Sequence, residues 1–347
     1  MAGYTDSAFR MLCKDFGADV VVTELISADA IAFGKFKIFQ NKKQDTRYKT
    51  QTIRQLADNI QYSKFKQNRT LVISDKNKST AELLSFFEAE RPVVIQLFGK
   101  NPETFAKASK WIWQNIKPDG IDINMGCPAR KVVGSDHGAA LLKNPTLACE
   151  IVKAVKENCD CPVSVKTRLG WENDDEILAF VPFLIDAGID AITIHGRTYK
   201  DGFKGKARWE NIYKIKKMVG DKLIVIGNGD IKDSSQFTAR LSDGQVVSSQ
   251  LGASLDGIAI GRASFGKPWI FGQNTDNSIQ ITELQKTILR HAKLAFDTKG
   301  EHGIVEFRKH LLAYLKGFPE AKSFREEAVK VETLEEITKI VSKLSQT

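Results

Sequence analysis

Long apolar runs are missing from this 347-residue chain. No stretch approaches the roughly 18 consecutive apolar residues of a membrane-spanning helix, so the sequence does not predict a membrane protein. The first residues also lack the charged and apolar pattern of a secretory signal peptide. Since 42% of the residues are hydrophobic and 27% are charged, we expect a globular protein of the cytoplasm.

Cysteine is scarce as well, which argues against a disulfide framework. The five residues, Cys13, Cys127, Cys149, Cys159 and Cys161, form an odd set with uneven spacing. Such a set is typical of proteins in a reducing compartment. Cys159 and Cys161 flank a single Asp without a second pair of ligands, so we expect no metal site.

Positive charge is concentrated in one segment. The formal net charge is +9, and residues 35–70 hold ten Lys or Arg against two Asp. Clustered cations bind polyanions because contact with phosphates releases counterions. A solvated loop would have the same composition, and the segment shows no clear period that decides between the two.

A repeating pattern of strand and helix organises most of the chain. A first helix is predicted from Ala8 to Phe16, and apolar runs predict strands at residues 20–25, 93–98, 120–125, 163–167, 191–195, 223–227 and 257–261. From Gly120 onward the strands start 43, 28, 32 and 34 residues apart, which is typical of βα units in a parallel sheet. Because polar residues follow many of these strands, a TIM (β/α)8-type barrel is favoured over an open sheet.

Polar residues stand at the carboxyl ends of six consecutive predicted strands. In chain order they are Gln96; Asn124 and Cys127; Lys166 and Arg168; His195 and Arg197; Asn228, Gly229 and Asp230; and Gly261 and Arg262. A single such residue, for example a lone His, is more often a structural hydrogen-bond partner than a catalyst. Six polar strand ends together predict a ligand, because inward polar groups destabilise a barrel unless something satisfies them.

The stretch from Ile121 to Val133 is the centre of this arrangement. Asp122 and Asn124 alternate with apolar residues and so share one face of a strand, and Cys127 follows on the loop at the barrel mouth. A buried structural cysteine in a turn would explain this stretch equally well.

Glycine-bearing turns follow the last two strands, at Asn228–Asp230 and at Gly261–Arg262. Their backbone N–H groups can approach an anion, and this end of a TIM barrel is the usual phosphate site. The sequence therefore predicts a phosphorylated cofactor.

The composition changes after Phe271. A polar link at residues 273–280 precedes helical patterns, one of which begins with Leu284, Ile288, His291, Ala292 and Ala295. We therefore predict a barrel domain over 1–272 and a helical domain over 273–347. A basic cluster in the second domain, made of Arg308, Lys309, His310, Lys316, Lys322 and Arg325, fits either nucleic-acid binding or a solvated helical face.

Ten stretches of this chain are similar to one known family. They read MAGYTDSAFR, TELISADA, VVIQLFG, IDINMGCPARKV, GAALL, VSVKTRLGW, ITIHGRT, VIGNGDI, DGIAIGRASFGKPWIF and RKHLLAYLKGFP. The chain resembles the tRNA-dihydrouridine synthases, most of all the bacterial subgroup called dihydrouridine synthase B. The resemblance runs from Met1 to about residue 325, and residues 35–91 match poorly.

The resemblance implies an FMN-binding barrel with a C-terminal helical tRNA-binding domain, acting as a monomer without a metal. It implies that NADPH reduces the flavin, that a hydride passes to C6 of a uracil, and that Cys127 gives a proton to C5. Asn124 corresponds to a uracil contact. The flavin contacts correspond to Met1, Ala2, Gln96, Lys166, His195, Asn228, Gly229, Asp230, Gly261 and Arg262.

Three departures from the family pattern stand out. The sequence begins inside the family's Pro-Met-Ala-Gly motif, so we expect a barrel without its first strand and a functional form that begins roughly 10 to 20 residues upstream. Asp136 and His137 occupy positions where small residues are usual, and Arg208 stands where Asp is common. We expect the first departure to weaken flavin binding and the second to alter the lid near Cys127, whereas the third has no physical explanation at the level of sequence.

Two other functions remain open at this point. One is an FMN-dependent barrel that acts on a small pyrimidine, and the other is a catalytically impaired tRNA-binding protein. The helical tail and the charge of residues 35–70 disfavour the first, and a visible flavin spectrum would exclude the second.

Overall fold

The computed structural model describes residues 1, 3–34, 36–39, 72–74, 78–233, 236, 254–272, 279–318 and 321–344. The strands are β1 Val21–Ser27, β2 Lys37–Phe39, β3 Val72–Ser74, β4 Val93–Phe98, β5 Gly120–Met125, β6 Val163–Arg168, β7 Ala191–His195, β8 Ile224–Asn228 and β9 Gly257–Ala259. The α-helices are α1 Ser7–Asp15, α2 Ala28–Phe33, α3 Lys78–Leu84, α4 Pro102–Asn115, α5 Arg130–Val133, α6 Pro145–Lys156, α7 Glu176–Asp186, α8 Glu210–Val219, α9 Ile281–Lys299, α10 Glu301–Tyr314, α11 Ala321–Ala328 and α12 Leu334–Lys343.

Seven parallel strands form the main sheet, in the order β1, β4, β5, β6, β7, β8, β9. Helices lie between the consecutive parallel strands from β1 to β8, as βα crossovers in a parallel sheet require. β2 and β3 form a separate antiparallel pair. The TIM-barrel type of fold is confirmed, and among the described residues no strand joins β1 to β9.

The predicted strands agree with the structure to within two residues. Three of them match residue for residue. β9 is the shortest strand of the main sheet because it ends at Ala259 instead of Gly261. Gly261 leaves the extended conformation, with φ −110° and ψ −110°, and β9 has only β8 as a neighbour. A strand paired on one side has fewer hydrogen bonds to prolong it.

Alternate positions of the strands form two different faces. Residues such as Ile95, Ile123 and Val165 are fully buried in the main hydrophobic core. Each such side chain contributes about 1.5 to 3 kcal/mol through burial of apolar surface. The intervening positions of β4 to β8 lie on the opposite face. The candidate site is built from the polar residues among them, which are Gln96, Asp122, Asn124, Ser164, Lys166, Arg168, His195 and Asn228.

The C-terminal helices α9 to α12 surround a second hydrophobic core. Helix α1 belongs to both cores, since Phe9 and Cys13 pack in the first while Ala8, Met11 and Leu12 pack in the second. The predicted link at 273–280 lies mostly outside the described residues, so the proposed domain limit stays a prediction. No helix in the described part of the chain is long and apolar enough to cross a membrane.

Candidate active site

The strand register brings most of the predicted site residues together. Gln96 of β4 lies beside Asp122 of β5, and Asn124 of β5 lies beside Lys166 of β6. On the other side, His195 of β7 lies beside Asn228 of β8. These side chains share the polar face because each occupies an alternate position of its strand.

A continuous hydrogen-bonded relay runs across three strands to the cysteine loop. Ser164 Oγ donates to one oxygen of Asp122 at 2.6 Å, and Gln96 Nε2 donates to the other at 2.6 Å. Asn124 Nδ2 donates to Gln96 Oε1 at 3.3 Å. Asn124 Oδ1 then accepts the backbone N–H of Cys127 at 2.9 Å.

The direction of every donor in this relay is fixed from both ends. At one end the backbone N–H of Cys127 can only donate, so the oxygen of Asn124 must face it. At the other end ionised Asp122 can only accept, so the nitrogen of Gln96 must face the carboxylate. The two constraints agree, and both amides therefore have a single consistent orientation.

Asp122 and Lys166 form the charged centre of the polar face. Burial raises the pKa of Asp122 to about 6, against opposing hydrogen bonds from Ser164 and Gln96 and the nearby charge of Lys166. Burial lowers the pKa of Lys166 to about 8, although the charge of Asp122 opposes this shift. At neutral pH the carboxyl group is ionised and the amine is protonated.

Lys166 has unused hydrogen-bonding capacity. Its ammonium donates to Asn228 Oδ1 at 3.3 Å, and this is its only hydrogen bond to the described residues. Asn228 is itself oriented by donation from Nδ2 to the carbonyl of Ala259 at 2.6 Å. An ammonium group carries three donors, so Lys166 can still bind a ligand.

The loop that carries Cys127 is held closely on two sides. The Gly126 carbonyl accepts a hydrogen bond from Arg168 Nε at 2.7 Å, and the Cys127 carbonyl accepts one from Ala139. Gly138 has a φ of +61°, and a Cβ atom there would lie 3.0 Å from the Cys127 carbonyl oxygen. Glycine permits both the conformation and the close approach. The half-buried Cys127 is thus fixed at the mouth of the barrel.

His195 is held in one tautomer by its neighbour. Arg197 Nη1 lies 3.3 Å from His195 Nε2, and because a guanidinium only donates, Nε2 must accept and the proton lies on Nδ1. Burial and the charges of Lys166, Arg168 and Arg197 lower the pKa of His195 to about 2. His195 is therefore a neutral donor through Nδ1 at any working pH.

Asp230 serves as an anchor inside this part of the site. Its Oδ2 atom accepts from Arg197 Nη2 at 2.9 Å and from the backbone N–H of Ala207 at 2.7 Å. Gly229 has a φ of +128°, and a Cβ there would lie 2.7 Å from the Cβ of Ala207. The turn that was predicted to bind an anion is consequently rigid.

The remaining predicted contacts lie at the sheet edge that ends in β9. Met1 adjoins Gly261, since its sulfur lies 3.4 Å from the position of a Cβ added to that glycine. Arg262 places its guanidinium 4.6 Å from the ring centre of Phe203, which also faces Arg168 at 5.5 Å. Ala2 lies outside the described residues.

Two of the departures from the family pattern now have a structural explanation. Arg208 donates to Asp201 at 2.6 Å and forms an ion pair with Asp174 at 2.8 Å. Asp201 in turn accepts the backbone N–H of Thr198, so Arg208 stabilises the loop after β7. His137 packs edge-on against Phe98, with ring centres 6.0 Å apart, next to the cysteine loop.

Several residues of the site were not among the predicted contacts. Asp122 and Ser164 start the relay, Arg168 holds the Gly126 carbonyl, and the exposed ring of Phe203 lies between two guanidinium groups. The signal for Asp122 and Ser164 was available, because each stands two residues before a predicted site residue on its own strand. Phe203 has no such signal.

The described residues do not form a continuous basic surface at either of the two predicted regions, residues 35–70 and the C-terminal basic cluster. Residues 40–71, which hold most of the predicted basic segment, lie outside the described residues. In the C-terminal cluster, His310 is buried and does not belong to an exposed basic face, whereas Lys316, Lys322 and Arg325 are exposed. The prediction for His310 was therefore wrong in this respect.

Comparison with known proteins identifies one family. The model of the dihydrouridine synthase (Dus) family matches residues 1–61 and 44–347. A probable tRNA-dihydrouridine synthase of Aquifex aeolicus is 32% identical, over 100% of this chain and 94% of that protein. The tRNA-dihydrouridine synthase B of Pseudomonas aeruginosa is 32% identical, over 94% of this chain and 85% of that protein. A chitinase crystal structure from Pseudoalteromonas aurantia covers 74% of this chain and 90% of its own at 12% identity, and its TM-score of 0.40 supports no inference.

Proposed function

This chain belongs to the dihydrouridine synthase family, and on that basis we propose that it reduces uridines in tRNA to 5,6-dihydrouridine. We propose FMN as the bound cofactor and NADPH as the source of electrons. The relay that ends at the backbone of Cys127 is the observation that carries the proposal, because it fixes a thiol at the mouth of a cationic barrel.

The charge distribution of the barrel mouth fits an anionic cofactor. Asp122 and Asp230 already have partners among the described residues. Asp122 accepts from Gln96 and Ser164, and Asp230 accepts from Arg197 and Ala207. Lys166 keeps unused donors. The mouth therefore offers positive charge and hydrogen-bond donors that the described residues do not satisfy.

FMN has a phosphate group and a ring that carries several hydrogen-bond acceptors. The hydrogen-bond donors of the barrel mouth suit both the phosphate and the ring. Lys166 and Gln96 would hold the ring, while His195 and the turns at Gly229 and Gly261–Arg262 would hold the phosphate end. When bound and reduced, FMN supplies the hydride equivalent that C6 of the uracil accepts.

Cys127 would protonate C5 of the uracil. Reduction at C6 leaves negative charge on the ring, and a positioned acid must deliver a proton to C5 for the reaction to finish. The hydrogen bond from Cys127 N–H to Asn124 and the close approach of Gly138 hold the thiol in place without using its sulfur. The thiol proton thus remains available to the substrate.

Asn124 would orient the uracil through the second N–H of its side-chain amide. Its oxygen accepts from the backbone of Gly126 and Cys127, and one N–H of its amide is donated to Gln96. The second N–H is free among the described residues and suits a uracil carbonyl. Lys166 would stabilise negative charge that develops during the reaction.

The uridine must leave the base stack to reach the barrel mouth. We propose that the helical tail, together with the basic segment at 35–70, holds the tRNA while this happens. We also propose that the protein acts as a monomer in the cytoplasm, which size-exclusion chromatography and cell fractionation would test.

A single reaction tests the proposed function. Purified full-length protein is incubated with FMN, NADPH and an unmodified tRNA transcript, and dihydrouridine is measured by mass spectrometry of the digested RNA. Free uracil and orotate serve as matched small substrates. The proposal is supported if tRNA is reduced and the free pyrimidines are not. Reduction of free uracil or orotate would indicate a small-molecule oxidoreductase. A protein that binds tRNA but no flavin would be an impaired binding protein.

A further inference from the structure

Three potential metal ligands converge where the first helix meets the helical tail. Asp6 precedes α1, His291 lies in α9 and His310 lies in α10, and their ligand atoms are all within 4.8 Å of one another. The two histidines are 0% and 1% exposed. None of the three residues is among the predicted flavin or uracil contacts, and the proposed function does not use this cluster.

The two histidines lack partners for three ring nitrogens. Within the described part of the chain, Nε2 of His291 and both ring nitrogens of His310 make no hydrogen bond of normal geometry. Buried polar atoms are nearly always satisfied in folded proteins, by protein groups, ordered water or an ion. These three buried ring nitrogens therefore need a chemical explanation.

Both imidazoles are buried and aimed at the same small region beside Asp6. Histidine binds metals as the neutral imidazole, through the lone pair of a ring nitrogen that carries no proton.

The surrounding residues orient these lone pairs. His291 Nδ1 lies 3.1 Å from the hydroxyl of Tyr314, so a proton on Nδ1 can be donated there and leaves the lone pair on Nε2. Metal-bound histidines are usually oriented in this way by a partner at the second nitrogen. One carboxylate oxygen of Asp6 caps α1 by accepting from Phe9 N at 2.9 Å, which leaves the other oxygen for a ligand.

Aromatic rings pack against both histidines. Phe9 stacks on His310 with ring centres 5.0 Å apart, and Phe307 meets His291 edge-on at 4.9 Å. Asp6 is the partly exposed member of the cluster, so its carboxylate is in contact with solvent.

We propose that Asp6, His291 and His310 bind one divalent transition-metal ion, with zinc preferred, which joins α1 to α9 and α10. Two imidazoles and a carboxylate are a common ligand set for zinc, and a water molecule would complete a tetrahedral site. Shortening the present separations to metal–ligand distances needs only small side-chain movements. Sequence analysis gave the opposite expectation, because the three ligands are distant in the chain.

Calorimetric titration of the full-length, untagged protein with zinc chloride tests this proposal. The protein is first dialysed against a chelator, and its metal content is measured by elemental analysis before and after. We expect one zinc ion per chain and a rise of a few degrees in the unfolding temperature, because a ligand that binds the folded state stabilises it.

Two variants give the experiment its controls. Asp6→Asn removes the anionic ligand but preserves the helix cap, since Asn and Asp are equivalent in that role. We expect it to fold and to bind zinc at least about tenfold more weakly, because even outer partners of metal ligands typically contribute that much. His302→Ala removes a histidine that is 68% exposed and lies in α10, the helix that also carries His310, and it should leave zinc binding unchanged.

Other outcomes would overturn the proposal. Zinc binding of equal affinity in the wild type and in Asp6→Asn would mean that the ion binds elsewhere. Loss of binding in His302→Ala would assign it to a surface site. If the wild type binds no zinc and its unfolding temperature does not change, a buried water satisfies the histidines, and the proposed reduction of tRNA is unaffected.

Discussion

Asn124 accepts the backbone N–H of Cys127 through its Oδ1 atom at 2.9 Å. This bond attaches the cysteine loop to the end of β5, a strand that is buried along its whole length. The position of the thiol is therefore set by the register of the sheet and not by a flexible loop.

Replacing Cys127 by Ala should slow uridine reduction by about 10² to 10⁴-fold while FMN binding and NADPH oxidation persist. Only the proton donor is removed, and such an acid typically contributes about 10² to 10⁴ in rate. Stopped-flow reoxidation of the reduced protein by tRNA measures the step directly. Cys149→Ala, a second half-buried cysteine on α6, is the matched control, and an unchanged rate in Cys127→Ala would remove Cys127 from the acid role.

Asp122→Leu should slow uridine reduction by at least about tenfold. Leu has a similar size but no acceptor, so the Gln96 amide loses the carboxylate oxygen that fixes its orientation, and the cysteine loop shifts. Small displacements at a reaction centre can slow the reaction by this much or more. The rate at saturating tRNA is the measurement.

Ser164→Ala provides the control for that change. It removes a donor to the other oxygen of Asp122 but leaves the carboxylate free to accept from Gln96. The direction of the relay survives, so the rate should stay close to that of the wild type. Equal losses in both variants would assign the effect to general damage of the polar face.

Lys166→Met should weaken FMN binding by about tenfold or more, which is the usual worth of a hydrogen bond to a charged group. The same change should raise the unfolding temperature of the flavin-free protein at pH 7. Lys166 has a folded pKa of about 8, below its unfolded value, so its protonated form destabilises the folded state at neutral pH.

The sign of this effect can be checked by changing the pH. The penalty from Lys166 is complete below the folded pKa and disappears as the pH rises through the unfolded pKa, near about 10.4. The difference between wild type and Lys166→Met should therefore shrink between pH 8 and pH 10. A constant difference in thermal unfolding over that range would mean that charge burial is not its cause.

Replacing Lys42, Lys43, Arg47 and Lys49 by Gln should weaken tRNA binding and reduce its salt dependence. Each lost contact with a duplex phosphate lowers the slope of log affinity against log salt by at most about 0.9. Filter binding across a salt series measures the slope. The matched control set consists of four exposed lysines elsewhere in the chain: Lys110, Lys153, Lys217 and Lys222. If both sets of substitutions give equal slopes, the basic segment is a solvated loop that does not contact the phosphates.

The sequence predicts the barrel well because its strands are short apolar runs with clear limits. β4, β5 and β7 match residue for residue, and the polar residues at their ends do lie on one face. The relay was beyond prediction because it depends on which residues stand side by side in neighbouring strands. That register is a property of the sheet and is not visible in a single strand.

The helical tail shows a different limit. His310 was grouped with exposed basic residues because Arg308 and Lys309 precede it, but it lies three residues after Phe307 and four before Tyr314. That spacing places it on the buried face of α10. Charge along the chain suggested a surface, whereas helical periodicity gave the correct location.

Helix α1 contributes side chains to the barrel core and to the tail core at once. The tail therefore cannot swing independently of the barrel without exposing Ala8, Met11 and Leu12 to water. If the tail holds the tRNA as proposed, this shared helix would keep a constant distance between the bound RNA and the thiol of Cys127. That distance would then select which uridine is reduced, and the protein would not need to recognise the nucleotide sequence around it.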